Sequence, residues 1–218
     1  MDKKELAAVC VQRLKDEYPE AQCSLEYKDP LQLLVSVRLA AQCTDARVNM
    51  VTPKLFERFP TLDAFCEGEE EEIAELIKSC GLYKSKARDI YKMVRVLRDE
   101  YGGVVPDTIE ELVKLPGVGR KTANLIVGDV YHKPAIVTDT HCIRICGLLG
   151  VTDNKEPYKV EKDLRAVIEP NEGNDFCHRL VLHGRAVCVA RRPKCDVCCM
   201  NDVCRYACKN REEDNKNG

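Results

Sequence analysis

Apolar residues recur at the three- and four-residue spacing of amphipathic helices along almost the whole chain. In the first such stretch, residues 2–17, Leu6, Cys10 and Leu14 share one side. The strand pattern of alternating apolar and polar residues is essentially absent. The pattern predicts an all-α protein of about ten or eleven helices without internal repeats. Eight predicted helices have both ends marked, namely 2–17, 31–41, 45–59, 62–66, 86–101, 109–114, 157–168 and 175–188. Three more are marked chiefly at the start. One begins with the glutamates at 69–72 and ends before Gly81, one begins after residue 119, and one begins after residue 139.

Capping residues support these boundaries. Asp29 precedes Pro30, which is favoured in the first turn of a helix. Thr44, Thr61 and Ser85 stand immediately before predicted helices, where a side-chain oxygen accepts from free backbone N–H groups. We therefore expect Ser85 to cap the long helix 86–101. The N-caps expected from this rule are Asp29, Thr44, Thr61, Ser85 and Asp107 or Thr108.

Composition narrows the class of protein. The chain has 218 residues, of which 44% are hydrophobic and 32% charged, values typical of a soluble globular protein. No apolar run approaches the ~18–20 residues that a membrane span needs, and the first ten residues do not resemble a signal peptide. We expect a cytoplasmic protein, nucleoid-associated if bacterial, with no membrane partner.

Net charge alone does not indicate a partner, because it is only −2. The distribution of charge is more informative. From His178 to Lys194 there are five Lys or Arg and no Asp or Glu, whereas Glu67 to Glu75 holds six glutamates and no basic residue. A locally basic surface on a weakly acidic protein is compatible with binding to nucleic acid.

The most informative turn is Leu115-Pro116-Gly117-Val118-Gly119, which joins two predicted helices. Its glycines permit positive φ and close approach of another backbone. Successive N–H groups beside a helix N-terminus form a concave site for an anion, and a DNA phosphate is the obvious candidate. Arg120 and Lys121 follow at once, which favours anion binding over a simple helix corner.

Lys121 and Asp139, eighteen residues apart, form a possible catalytic pair. A lysine amine is nucleophilic only when neutral, and partial burial, the charge of Arg120 and the positive end of a helix dipole all favour that form. A neutral amine attacking a sugar C1′ gives a Schiff base. Asp139 is expected at an N-cap, where backbone N–H groups keep a carboxylate ionised. Such a carboxylate stabilises cationic sugar character or activates a nucleophile.

Fourteen cysteines are present, and six of them crowd between Cys188 and Cys208. The spacing Cys188-x6-Cys195-x2-Cys198-x5-Cys204 supplies four thiolates in a short, loop-like segment. Four cysteines hold either tetrahedral zinc or an iron–sulfur cluster, and donor chemistry alone leaves both open. Between the first two cysteines lies a basic loop that suits phosphate contacts. Its charged members are Arg191, Arg192 and Lys194.

The stretch LPGVGRKTAN followed by VTDTH resembles the helix-hairpin-helix DNA glycosylases, specifically the endonuclease III family. The resemblance extends over nearly the whole chain. It implies two helical domains flanking a DNA-binding cleft. Residues 22–133 are expected to form a six-helix domain that carries the hairpin. Residues 1–21 and 134–218 are expected to form the second domain, with the cluster loop at 188–204.

The resemblance also assigns roles to individual residues. Lys121 is implied to be the nucleophile and Asp139 the second catalytic group. The cysteine spacing is similar to the 4Fe–4S loop of the family, which implies a 4Fe–4S cofactor on Cys188, Cys195, Cys198 and Cys204; Cys199 and Cys208 are kept as extra residues. The segment LAAQCTD implies that Gln42 fills the space left by an extruded base, and IKSCGLY that Leu82 is a wedge. The expected DNA-binding residues are Gln42, Leu82, Leu115, Gly117, Gly119, Arg120, Arg191, Arg192 and Lys194.

The function implied is base-excision repair by a monomeric, bifunctional enzyme. It is expected to remove oxidised pyrimidines from duplex DNA and to cleave 3′ to abasic sites by β-elimination through a lysine Schiff base. A related glycosylase of different base specificity is the nearest alternative, although such members typically lack the lysine. The other alternative is a non-catalytic DNA-binding module, against which Asp139, Gln42 and Leu82 argue.

Overall fold

A computed structural model describes residues 1–217, with the side chains of residues 212–217 excepted. Within that range every regular element is helical and no strand occurs, which confirms the all-α prediction. The α-helices are α1 Lys3–Glu17, α2 Pro30–Ala40, α3 Asp45–Arg58, α4 Leu62–Glu67, α5 Glu70–Leu76, α6 Tyr83–Tyr101, α7 Ile109–Leu112, α8 Arg120–Asp129, α9 Thr140–Leu149, α10 Pro157–Val167, α11 Gly173–Ala186 and α12 Arg205–Asn217. Short 3₁₀ turns cover Lys78–Cys80, Pro170–Glu172 and Cys195–Val197.

The described residues therefore contain twelve α-helices, and α12 is the one that the hydrophobic pattern did not predict. None of the helices in residues 1–217 combines the length and the apolar character needed to cross a membrane.

Most predicted caps are confirmed. Asp29, Thr44, Thr61 and Thr108 each accept a hydrogen bond from a backbone N–H in the first turn of the following helix. Asp2 adds a capping box that was not predicted, in which its carboxylate and that of Glu5 each bind a backbone N–H of the other residue.

The predicted Ser85 cap is wrong. The helix α6 begins at Tyr83, because Gly81 and Leu82 take φ values of 64° and 45° and turn the chain earlier than expected. Ser85 therefore lies inside the first turn, where its hydroxyl donates to the carbonyl of Leu82 at 2.9 Å. A left-handed leucine is uncommon, and no sequence rule for caps anticipates one.

The chain divides into two compact units, residues 23–132 and residues 1–22 with 133–218. In the unit 23–132, the long helix α6 packs against α2, α4 and α5. Its buried face is apolar except for Lys86, whose side chain is fully buried. The ammonium of Lys86 donates to the carbonyls of Leu39, at 2.8 Å, and Cys80, at 2.7 Å. Burial lowers the pKa of Lys86.

In the other unit, α11 packs against both α1 and α9. Gly184 permits this approach, since a Cβ atom there would lie 2.3 Å from Nδ1 of His141 on α9. The core on this side is formed by residues such as Leu14, Phe176 and Leu180. The helix α9, which starts at the predicted catalytic Asp139, is thereby fixed along its length.

Candidate active site

The predicted hairpin lies between α7 and α8. Its tight turn is closed by a hydrogen bond from the N–H of Val118 to the carbonyl of Leu115, at 3.1 Å. Gly117 has a φ of 76°, and a Cβ atom there would lie 2.8 Å from Nε of Arg38 and 2.9 Å from Cβ of Asp89. Only glycine fits both the backbone angle and the space. The Arg38–Asp89 ion pair, with a shortest distance of 2.6 Å, supports the turn from inside.

Lys121 is the second residue of α8 and is exposed. The N-cap is Gly119, which has no side chain to bind the first backbone N–H groups of the helix. The positive end of the helix dipole is therefore open beside Lys121. Among the described residues, no carboxylate pairs with Lys121. The arrangement keeps its amine available and places it next to a site suited to an anion.

The other hairpin residues are divided between the core and the surface. Gly117, Gly119 and Arg120 are exposed, whereas the side chain of Leu115 is 2% exposed. The prediction that Leu115 contacts DNA can therefore apply only to its backbone.

Asp139 is the N-cap of α9, as the sequence predicted. Its Oδ1 accepts from the N–H of Cys142 at 2.7 Å. The preceding residues 135–138 are buried, so the carboxylate stands where the chain emerges from the core. The Cys142 and Cys177 thiols lie nearby, and a hydrogen bond to Cys146 is the main cause that raises the pKa of Cys142. Asp139 and Lys121 belong to different compact units.

Gln42 and Leu82 share an unusual feature that the sequence did not reveal. Both have left-handed backbones, with φ values of 54° and 45°, and both are exposed. Leu82 is 60% exposed. Residues held in this conformation cost free energy, and they cluster at ligand-binding sites. Each sits at the end of a helical segment in the unit 23–132, Gln42 after α2 and Leu82 after the 3₁₀ turn Lys78–Cys80.

The four cysteines predicted as ligands line one cavity next to α9 and α11. The cavity is partly open to solvent and has an empty volume of about 380 Å³. Cys199 and Cys208 do not line it. The members of its wall are Ile145, Leu148, Leu149, His183, Val187, Cys188, Pro193, Lys194, Cys195, Cys198, Met200, Asn201, Cys204, Tyr206 and Ala207.

This donor set fits a metal group. Four thiols in a largely apolar wall can bind soft metals as thiolates. Donor chemistry alone fits either tetrahedral zinc or an iron–sulfur cluster.

Two residues that the sequence did not single out contact the ligand cysteines, and a third contacts one of these two. Arg144 on α9 donates to Sγ of Cys188 at 3.5 Å, and Nε2 of His183 lies 3.4 Å from Sγ of Cys198. The hydroxyl of Tyr18 lies 3.2 Å from Nδ1 of His183. These contacts join residues that are 15 to 165 positions apart, so no local motif could have indicated them.

The three basic side chains of the loop between Cys188 and Cys195 do not all have the same surroundings. Arg191 and Arg192 are exposed. The ammonium of Lys194 instead donates to the carbonyl of Ala186 at 3.1 Å, where it satisfies the C-terminal end of α11. A phosphate would compete with that contact for Lys194, and the two arginines are the better placed cations.

Comparison with known proteins agrees with this fold. The family model for the HhH-GPD superfamily of base excision DNA repair proteins matches residues 35–170. The chain is 44% identical over 206 residues to endonuclease III of Synechocystis sp., with 94% of each protein covered. It is 41% identical over 197 residues to endonuclease III of Bacillus subtilis, with 90% of each covered. A trapped covalent endonuclease III–DNA intermediate matches with a TM-score of 0.90 at 40% identity, covering 97% of this chain and 100% of that one.

An all-helical chain with this hairpin and this family match is a base-excision DNA repair protein of the helix-hairpin-helix class. Within that class, the chain belongs to the endonuclease III family. The predictions of the fold, of the family and of an enzyme of base-excision repair are confirmed. The cysteine set and the individual site residues stay predictions.

Substitutions at the two hairpin glycines separate the stability of the turn from its ability to bind DNA. Gly117→Ser should lower the free energy of unfolding by about 2 kcal/mol, because it combines a strained φ with a clash. Gly119→Ser should leave stability unchanged or slightly higher, because a Cβ there meets nothing within 4 Å and serine is a good N-cap. It should nevertheless weaken duplex binding, because its side chain occupies the anion site. Urea denaturation and fluorescence anisotropy measure the two effects, and a stable Gly117→Ser variant would contradict this account of the turn.

Proposed function

We propose that this member of the endonuclease III family is a bifunctional enzyme, a DNA glycosylase for oxidised pyrimidines and an abasic-site lyase. The observation that carries the proposal is the exposed Lys121, unpaired among the described residues, at the open N-terminus of α8 beside the hairpin turn. An available amine next to an anion site suits covalent attack on a sugar whose phosphate is bound. The trapped covalent DNA intermediate of the related endonuclease III supports a covalent mechanism.

In the proposed reaction, Nζ of Lys121 attacks C1′ of the damaged nucleotide and the C1′–N bond to the base breaks. The base leaves with the bonding electrons and takes up a proton. Ring opening gives a Schiff base between Nζ and C1′, which acidifies the C2′ proton. Loss of that proton then drives β-elimination, and the C3′–O bond breaks on the 3′ side of the lesion. One amine thus accounts for both activities.

Asp139 is proposed to stabilise the cationic sugar that develops as the base leaves. Its carboxylate is already oriented by the Cys142 N–H, so it does not need to reorganise during the reaction.

Gln42 and Leu82 are proposed to occupy the helix stack after the base is extruded. A glycosylase must take its target out of the duplex, and unstacking costs a few kcal/mol per step. An exposed leucine on a left-handed backbone suits a wedge, since its apolar side chain is held in solvent until DNA covers it. Gln42, also exposed, supplies hydrogen-bonding groups for the unpaired partner base.

Duplex DNA with damaged pyrimidines or abasic sites is the proposed partner, bound by a monomer. The hairpin N–H groups, Arg120, Arg191 and Arg192 would contact phosphates, with Lys194 in a lesser role. These contacts carry no base identity and should make binding fall as salt rises. Because the proposed substrate is chromosomal DNA, the proposal places the protein in the cytoplasm, and at the nucleoid if the source is bacterial. We also propose that the two compact units are the two domains expected from the sequence.

Cys188, Cys195, Cys198 and Cys204 are proposed to hold a 4Fe–4S cluster. The four cysteines line one cavity, and their spacing and the family support this assignment over zinc. When bound, the cluster would supply metal–sulfur bonds that tie the C-terminal segment to Cys188, just after the end of α11. Arg144 and His183 would then offer hydrogen bonds to the bound sulfurs of Cys188 and Cys198.

Borohydride trapping on duplex DNA that contains an oxidised thymine tests Lys121. Wild type should give a covalent protein–DNA adduct that is absent in Lys121→Gln, because the Schiff base requires the amine. The control is Lys54→Gln, which removes another exposed lysine of the same unit and should trap like wild type.

Release of base by the wild type without any adduct would make the enzyme monofunctional and exclude this role for Lys121. Absence of both base release and trapping would reject the proposed substrate.

Asp139→Asn tests the charge of the N-cap separately from its hydrogen bond. Asparagine caps helices as well as aspartate does, so the melting temperature should stay close to that of wild type. Single-turnover base release should fall by about 100-fold or more, the size of effect seen when one electrostatic contact to a transition state is removed. An equally active Asp139→Asn variant would reject the electrostatic role.

Metal analysis tests the cysteine assignment. Anaerobically purified wild type should contain about four iron and four acid-labile sulfide per chain, as a 4Fe–4S cluster requires. Cys195→Ser should lose most of the iron. Cys199→Ser is the matched control and should retain it, because Cys199 does not line the cavity. Stoichiometric zinc instead of iron, or iron loss only in Cys199→Ser, would contradict the assignment.

A further inference from the structure

Two cysteines outside the proposed metal site lie next to Gln42 and Leu82, the residues proposed to occupy the helix stack. The segments around Gln42 and Leu82 are called the two loops. Cys43 directly follows Gln42, and Cys80 stands two residues before Leu82. The side chains of Cys43 and Cys80 are near enough to interact. Neither residue has a part in the proposed mechanism.

Backbone contacts bring these loops together. Nζ of Lys86 donates at once to the carbonyl of Leu39, near the end of α2, and to the carbonyl of Cys80. The 3₁₀ turn that contains Cys80 also packs against α3, which begins just after Cys43. The packing of the unit 23–132 therefore brings together the two segments that carry Cys43 and Cys80.

We propose that Cys43 and Cys80 are a disulfide-forming pair, through which a small disulfide oxidant reversibly lowers base removal. The effect on base removal rests on the proposed function, whereas the formation of the disulfide does not. In the first step the Cys43 thiolate attacks one sulfur of the oxidant RSSR, which gives the mixed disulfide Cys43–S–S–R and releases RS⁻. The Cys80 thiolate then attacks the Cys43 sulfur, and the second RS⁻ leaves. Two thiols are oxidised, the oxidant is reduced to two RSH, and the two protons end on the released thiols.

The two thiols differ in a way that sets the order of these steps. Cys43 is half-buried and can be reached from solvent, whereas Cys80 is 1% exposed. The pKa of Cys80 is raised to about 11, mainly by burial and secondly by the neighbouring Cys43. Cys80 is thus a poor first nucleophile, and it suits the role of the resolving thiol.

A second group of neighbouring thiols does not offer this chemistry. Cys142, Cys146 and Cys177 lie together, with exposed fractions of 0%, 0% and 3%. An oxidant in solution has no access to them. Cys43 differs from these three because it is partly accessible and lies near a partner thiol.

Closure of the disulfide should disturb the loops. The sulfurs must approach to ~2.05 Å, closer than two unbonded thiols can lie. The neighbours Gln42 and Leu82 already have left-handed backbones, so they have little freedom to absorb the movement. A displacement of about 1 Å at positioning residues can lower a rate by about 100-fold. We expect a loss of about tenfold or more in single-turnover base release.

The test treats the reduced protein, with its metal site loaded, with glutathione disulfide. Peptide mapping by mass spectrometry without reduction should show a Cys43–Cys80 cross-link, and base release from duplex DNA with an oxidised thymine should fall. Dithiothreitol should restore it. Cys43→Ala should be as active as reduced wild type and should keep its activity in the oxidant. Cys23→Ala, which removes another half-buried cysteine of the same unit, should still lose activity on oxidation.

Absence of the cross-linked peptide overturns the proposal whatever the activity. An equal loss of activity in Cys43→Ala also overturns it, since oxidation then acts elsewhere, for example at the metal site. If reduced wild type releases no base, the proposed function fails on its own. The pair is then judged by the cross-link and by duplex binding, which should weaken on oxidation in wild type and not in Cys43→Ala.

Discussion

A single buried ammonium group joins the two loops on which the proposed distortion of DNA depends. Lys86 lies fully inside the unit 23–132, yet its Nζ satisfies two carbonyls that end helical segments, those of Leu39 and Cys80. Terminal carbonyls lack intrahelical partners, and a cation at a helix C-terminus is favourable. Removing the charge from water is costly, which is why the pKa is lowered, but an apolar replacement would leave two buried acceptors unpaired at about 1–3 kcal/mol each.

Helix termini also organise the rest of the site. The N-terminus of α9 is filled by the carboxylate of Asp139, and the C-terminus of α11 by the ammonium of Lys194. The N-terminus of α8 is different, because its cap is Gly119 and, among the described residues, it has no side-chain cap hydrogen bond. One end is therefore open to an anion from outside, while the others are satisfied from within. The glycine spacing of the hairpin provides this difference, and it places Lys121 at the open end.

The sequence predicted what is local. The hairpin turn, the Asp139 cap and the cysteine spacing depend on residues within about twenty positions, and the helical pattern indicated the all-α fold. The left-handed Leu82 was missed, because only the packing around it can support a backbone that leucine disfavours. Lys86 was hidden for a related reason, since its partner Leu39 is 47 positions away and its pattern is that of a solvated lysine. The contact between Cys43 and Cys80 is equally invisible without the fold.

The cysteine segment has few other stabilising contacts that could replace the proposed metal group. Its ion pairs, Arg13 with Asp202 and Arg205 with Asp153, are largely exposed, and such pairs contribute about 0–1 kcal/mol. Between α11 and α12 the chain forms only one short 3₁₀ turn. A structural metal site is worth roughly 10 kcal/mol or more in small domains, far more than those pairs. The basic loop within this segment can present its arginines to DNA in a fixed position only if the cysteines on both sides of it are held.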